Sequence, residues 1–167
     1  MIRSLPRAAL MLCAAATVAV GQTQHPPEVP PQLEIAGAVA RPQALTLEAL
    51  ATFPTAELVT TTPWHEGAGP QSFAGFSALA VLDAAGPQGE IFVFTALDGY
   101  ELDAPREMLV RFPALLATEL NGAPLDPETY GPFWLVFPYD EIPEDAREAY
   151  AAISVWALDR ITVRAAE

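Results

Sequence analysis

From Leu33 onward the chain alternates short apolar runs with breakers, and the period of each run predicts its element. Leu33-Glu34-Ile35-Ala36-Gly37-Ala38-Val39 alternates apolar with small or polar positions, the period of a half-buried strand, and Arg41-Pro42 closes it. Thr46 is placed to cap a short helix that carries Leu47, Leu50 and Ala51 on one face and stops at Pro54. Residues 57–62 are rich in β-branched side chains and predict a second strand, halted by Pro63. Ser77 begins a helix with Leu79, Leu82 and Ala85 at helical spacing, and Gly86 supplies its left-handed stop. The apolar run 91–96 fits a strand buried on both faces, broken by the turn dipeptide Asp98-Gly99.

The second half continues in the same way. Residues 105–112 predict a short helix and 115–120 a strand, after which Asn121-Gly122 is the dipeptide of a tight hairpin. Residues 133–137 form an aromatic strand bounded by Pro132 and Pro138. A helix over 143–152 has acids in its first turn, where the positive end of the macrodipole favours them. The chain closes on 155–158 and 161–163, a final strand or strand pair. Short strands mixed irregularly with short helices indicate an α+β domain and not a doubly wound parallel sheet.

The first 32 residues carry other signals. Residues 1–21 have Arg3 and Arg7 at the start, an apolar run from Ala8 to Val20 and a small-residue exit, the layout of a signal peptide that directs the protein to the periplasm. Residues 22–32, with Pro26, Pro27, Pro30 and Pro31, read as an extended linker, and His25 as a solvated part of it. The folded domain is then 33–167. Cleavage after Gly21 would remove two arginines and no acids, taking the net charge from −13 to −15, and would remove Cys13, the one cysteine.

Charge narrows the function. The 167 residues are 51% hydrophobic, enough for one ordinary core, and carry 21 acids against eight arginines and no lysine. Such a surface repels phosphate backbones and anionic lipid, so nucleic acid is excluded as a partner, as is the membrane once the signal is cleaved. An acidic domain suits a protein partner, periplasmic or a membrane sensor, reached through charge complementarity.

The ordered segments resemble those of the sulfite-oxidase-like oxidoreductases, and more closely the small exported members with a molybdopterin-binding domain. The resemblance rests on Leu33-Glu34-Ile35-Ala36-Gly37 with Arg41-Pro42, Thr60-Thr61-Thr62-Pro63-Trp64, Phe73-Ala74-Gly75-Phe76 and Thr95-Ala96-Leu97-Asp98-Gly99-Tyr100. It continues through Leu115-Leu116-Ala117, Asn121-Gly122-Ala123-Pro124-Leu125, the segment Gly131 to Pro138, and Ser154 to Ile161. It implies an α+β sulfite-oxidase-like fold, a pterin dithiolene holding molybdenum, and a protein cysteine as a further ligand. In catalytic relatives that cysteine lies after the second strand, in the loop filled here by Thr62-Pro63-Trp64-His65-Glu66-Gly67. A hydroxyl or imidazole is a harder donor than thiolate, and an anionic pterin needs fixed cations that this chain scarcely has.

Cofactor loss is therefore the reading, molybdopterin the alternative that the resemblance implies. The candidate ligand-contacting residues are Thr62, Trp64, His65, Tyr100 and Arg160, with no catalytic or metal-ligating residue assigned. Asp98, Glu101 and Asp103 read as a solvated turn without the alternation of a calcium loop. Tyr100, Trp134, Tyr139 and Trp156 read as core aromatics, and His65→Ala or Trp64→Ala is expected to leave the melting temperature nearly unchanged.

Overall fold

Two five-stranded sheets share one apolar core. The computed structural model describes residues 30–165, so the signal-peptide reading, Cys13, His25 and most of the linker lie outside the described residues. The linker's last residue, Gln32, already belongs to the first strand.

In the first sheet, β1 (Gln32–Gly37) buries Leu33 and Ile35 and leaves Glu34 between them at the surface, as its alternation requires. It pairs antiparallel with β2 (Gln43–Thr46), a short edge strand the apolar pattern does not announce. Thr46 then accepts a hydrogen bond from the Ala49 amide and caps α1 (Leu47–Leu50). The strand expected over 57–62 begins and ends earlier, as β3 (Thr55–Thr60), the third strand and an edge of the second sheet.

Its neighbour β4 (Gln71–Ser77) is a strand that sequence pattern left unassigned, since Ala74 and Gly75 at its centre have little strand preference. Gly75 is required by packing: a Cβ there would sit 2.1 Å from the Leu116 carbonyl oxygen. Ser77 caps α2 (Ala78–Ala85), and Gly86 ends it at φ 67°. The helix turns Ala78, Val81, Leu82 and Ala85 inward; Leu79, expected on that face, is only half-buried.

The chain returns to the first sheet with β5 (Ile91–Ala96) and β6 (Glu101–Pro105), a second edge strand missed because Glu101 and Asp103 made it resemble a solvated turn. After α3 (Arg106–Arg111), β7 (Leu115–Leu120) and β8 (Ala123–Pro124) form the expected hairpin, with Asn121 and Gly122 both at positive φ. The aromatic strand β9 (Trp134–Val136) pairs with β7. The expected helix over 143–152 divides into a 3₁₀ turn, Glu144–Ala146, and α4 (Arg147–Ala152). One strand, β10 (Leu158–Arg164), closes the fold between β1 and β5, parallel to the first and antiparallel to the second. Residues 155–157 do not extend it.

Candidate functional site

The loop after β3 is fixed from both ends. At its start, Asp140 accepts hydrogen bonds from the Thr61 amide at 3.0 Å and from the Thr61 hydroxyl, while the Asp140 amide donates to Thr60 Oγ1 at 3.3 Å. The Thr61 hydroxyl above all, then its amide, hold the Asp140 carboxyl below its ordinary value. At the far end the buried Gln71 side chain donates to the Gly69 carbonyl at 3.0 Å and accepts from Asn121 Nδ2 at 2.8 Å. Between these ties the His65 amide donates to the Thr62 carbonyl, and Thr62 Oγ1 lies 2.7 Å from His65 Nδ1. The two residues that stand where a sulfur donor would be sought are thus hydrogen-bonded to each other.

Trp64 packs edge-on against Trp134, Tyr139 and Trp156, with ring centroids 5.4, 5.8 and 5.4 Å away. Trp134 is the centre of the group. It is fully buried, stacks on Tyr130 at 4.5 Å, meets Phe73 edge-on and approaches His65 at 6.1 Å. Its indole N–H is buried without a hydrogen-bond acceptor among the described residues. Burial pushes the Tyr139 phenol well above its ordinary value, and its hydroxyl donates to the Tyr150 carbonyl at 3.4 Å.

Beside Trp64 opens a cleft of about 510 Å³. One wall is α4, with Glu148, Ala151 and Ala152; the opposite side is the end of β5 and its turn, with Ala96, Asp98 and Tyr100. The third wall is the stretch Ser154-Val155-Trp156, held by the Ser154 hydroxyl donating to the Leu135 carbonyl at 2.5 Å and the Leu135 amide donating to the Val155 carbonyl at 3.0 Å. Ala157 follows at φ 48°, a conformation that costs a non-glycine residue about 1 kcal/mol. Backbone bonds to Tyr130 and Leu97 hold it there, so the chain turns sharply and Trp156 stands at the cleft instead of in a sheet.

Of the five sequence candidates, the structure brings Trp64 and Tyr100 together at this cleft. Thr62 lines a smaller adjoining cleft of about 290 Å³, which it shares with Thr61, Tyr139 and Arg147. His65 does not line the cleft and lies against Tyr130 and Trp134. Arg160 takes no part: its guanidinium pairs with Glu34 at 2.8 Å across β10 and β1, on the outer surface. The expectation that Tyr100 and Trp156 are core is corrected, since they are 51% and 39% exposed, whereas Trp134 and Tyr139 are core as expected. Asp140 and Asn121 went unseen as site residues because each acts on a partner about 50 or more residues away, and the local bond of Gln71 to Gly69 carries no sequence signal.

The three acids of the segment 98–103 each have a partner. Asp98 accepts from the Tyr100 amide at 2.9 Å, Glu101 from Thr95, and Asp103 pairs with Arg164. Among the described residues, no group of three or more histidine, cysteine, aspartate or glutamate side chains is arranged to hold a metal ion.

Residues 24–167 match the family described as "oxidoreductase molybdopterin binding domain". The chain belongs to that family. Comparison with curated proteins gave no match. Among solved structures, the sulfane dehydrogenase SoxCD of Paracoccus pantotrophus is similar with a TM-score of 0.61 and 21% identity over 80% of this chain. The match spans 38% of the SoxCD chain, so it establishes a shared fold. The sulfite-oxidase-like α+β fold expected from the ordered segments is the one observed in this molybdopterin-binding-domain protein.

Proposed function

We propose that this molybdopterin-binding-domain protein is exported to the periplasm, lacks the molybdenum chemistry of its catalytic relatives, and acts as a ligand-binding or sensor-accessory module. The observation that carries this reading is the chemistry of the cleft and its loop. The loop offers a hydroxyl and an imidazole bonded to each other, with no sulfur, and the charged side chains lining the main cleft are Asp98 and Glu148. A pterin phosphate and a dithiolene-bound metal would need a soft donor and fixed cations there, and these residues do not fit such a group.

The arginines reinforce the argument. Arg41 donates to the Ala84 carbonyl, Arg106 pairs with Asp83, Arg160 with Glu34 and Arg164 with Asp103, while Arg111 lies over the Phe112 ring. Arg147 is the cation nearest the site; it lines the smaller cleft and donates to the Ile142 carbonyl at 3.0 Å. One guanidinium already engaged with a carbonyl makes a weak phosphate site on a chain of net charge −13. The layout of residues 1–21 supports export, and the acidic surface supports a periplasmic or membrane-sensor partner.

A second reading is a molybdopterin-dependent oxidoreductase with a non-cysteine site, favoured by family membership itself. Metal analysis and pterin fluorescence on protein purified from its own host, grown with ample molybdate, separate the two. The proposal expects molybdenum far below one atom per chain; stoichiometric molybdenum with pterin overturns it.

A further inference from the structure

We propose that the cleft beside Trp64 binds an organic cation with an apolar body, an amine or a quaternary ammonium, between the rings of Trp64, Trp156 and Tyr100 and the carboxylates of Asp98 and Glu148. This rests on the preceding reading, that the cleft is not a pterin site, and adds the chemical class of its ligand.

Size, rings and charge agree. A cleft of about 510 Å³ is within the range that small organic molecules occupy. Trp64 and Trp156 meet at 83° with centroids 5.4 Å apart, forming an aromatic corner, and Tyr100 lines the same space. Tyr100 and Trp156 keep 51% and 39% of their surface exposed, although the fold buries its other large aromatics at β9 completely. Ring faces attract a cation through their quadrupole, most strongly when both are shielded from water.

The charges select among ligands. Asp98 and Glu148 both line the cleft, and neither has an ion-pair partner among the described residues. The lining of this cleft includes no basic side chain. An anion here would face two carboxylates with no cation in the lining to offset them, and a neutral molecule would gain nothing from their charge. An inorganic metal ion would find too few oxygen donors and mostly apolar walls of alanine, valine, proline and aromatic residues. An organic cation satisfies both sets of groups, and the net charge of −13 raises its local concentration.

The test uses the purified full chain, first assayed for molybdenum, then titrated with choline and with benzyltrimethylammonium by calorimetry and tryptophan fluorescence. The uncharged isostere 3,3-dimethylbutan-1-ol is the control. Both cations are expected to bind and to change the tryptophan emission, with the alcohol at least about tenfold weaker than choline. Trp156→Ala and Glu148→Gln should each weaken cation binding by roughly three- to thirtyfold. Glu148→Gln keeps size and shape on an exposed helix position, so it reads the charge even if Trp156→Ala perturbs the wall. Equal binding of choline and the alcohol, or wild-type affinity in Glu148→Gln, overturns the proposal. Metal-free protein that binds neither cation overturns it while leaving the loss of molybdenum chemistry standing; stoichiometric molybdenum overturns the reading underneath.

Discussion

Thr62 Oγ1 and His65 Nδ1 face each other across 2.7 Å and tie together the turn from which Trp64 projects. The bond is local and partly solvated, so His65→Ala should cost about 1 kcal/mol or less in urea denaturation. Trp64→Ala is a different case. Its ring touches three others, and removal should cost about 2–4 kcal/mol, contrary to the expectation from sequence that both substitutions leave stability alone. Equal melting temperatures for the two variants would show that the aromatic group does not hold the loop.

Trp134 tests the centre of that group. Trp134→Ala should cost about 3–5 kcal/mol, because the residue is fully buried between Tyr130, Phe73 and Trp64. Trp134→Phe should cost at most about 2 kcal/mol, since loss of ring volume is offset by removing a buried N–H that lacks an acceptor. A phenylalanine variant as unstable as the alanine variant would mean that relief of the buried N–H does not offset the lost ring volume.

Asp140 makes stability depend on acid. Its folded carboxyl is held below the ordinary value of 3.8 by the Thr61 hydroxyl and amide, so its stabilising contribution is complete above that value. It is lost as the pH falls through the depressed folded value. Asp140 is exposed, and solvent limits the effect to about 1 kcal/mol or less. Asp140→Asn should therefore be less stable than wild type at neutral pH, with the gap closing in strong acid. A gap that stays constant across this range rules out the carboxylate as its source.

Gly75 tests the pairing of β4 with β7. Gly75→Ala places a Cβ against the Leu116 carbonyl, where the register already shifts between Ala74 and Gly75, and should cost about 1–3 kcal/mol by thermal or urea melting. Wild-type stability in this variant would mean the two strands part more easily than their spacing implies.

These residues also show what a sequence can disclose. Thr46, Ser77, Gly86 and Asn121-Gly122 act within three or four residues of themselves, through caps and turns, and local chemistry revealed all of them. The strands β2, β4 and β6 escaped for reasons of composition: edge positions tolerate polar and charged residues, and Gly75 is present for spacing, not propensity. At the site, Trp64 and Tyr100 were legible as aromatics beside breakers, and both line the cleft. Arg160 had looked like a ligand contact, but only the register of β10 against β1 reveals Glu34 opposite it. Trp156 read as strand because its neighbours Val155 and Leu158 are apolar; the left-handed backbone at Ala157 turns it aside.

The central position of β10 has a consequence for folding. Until residues 158–164 have been synthesised, β1 and β5 lack the partner that joins them, and half of the first sheet cannot zip to the other half. Closure of this sheet is therefore non-local, and it is expected to lag behind the local hairpins β1–β2 and β5–β6 that it joins.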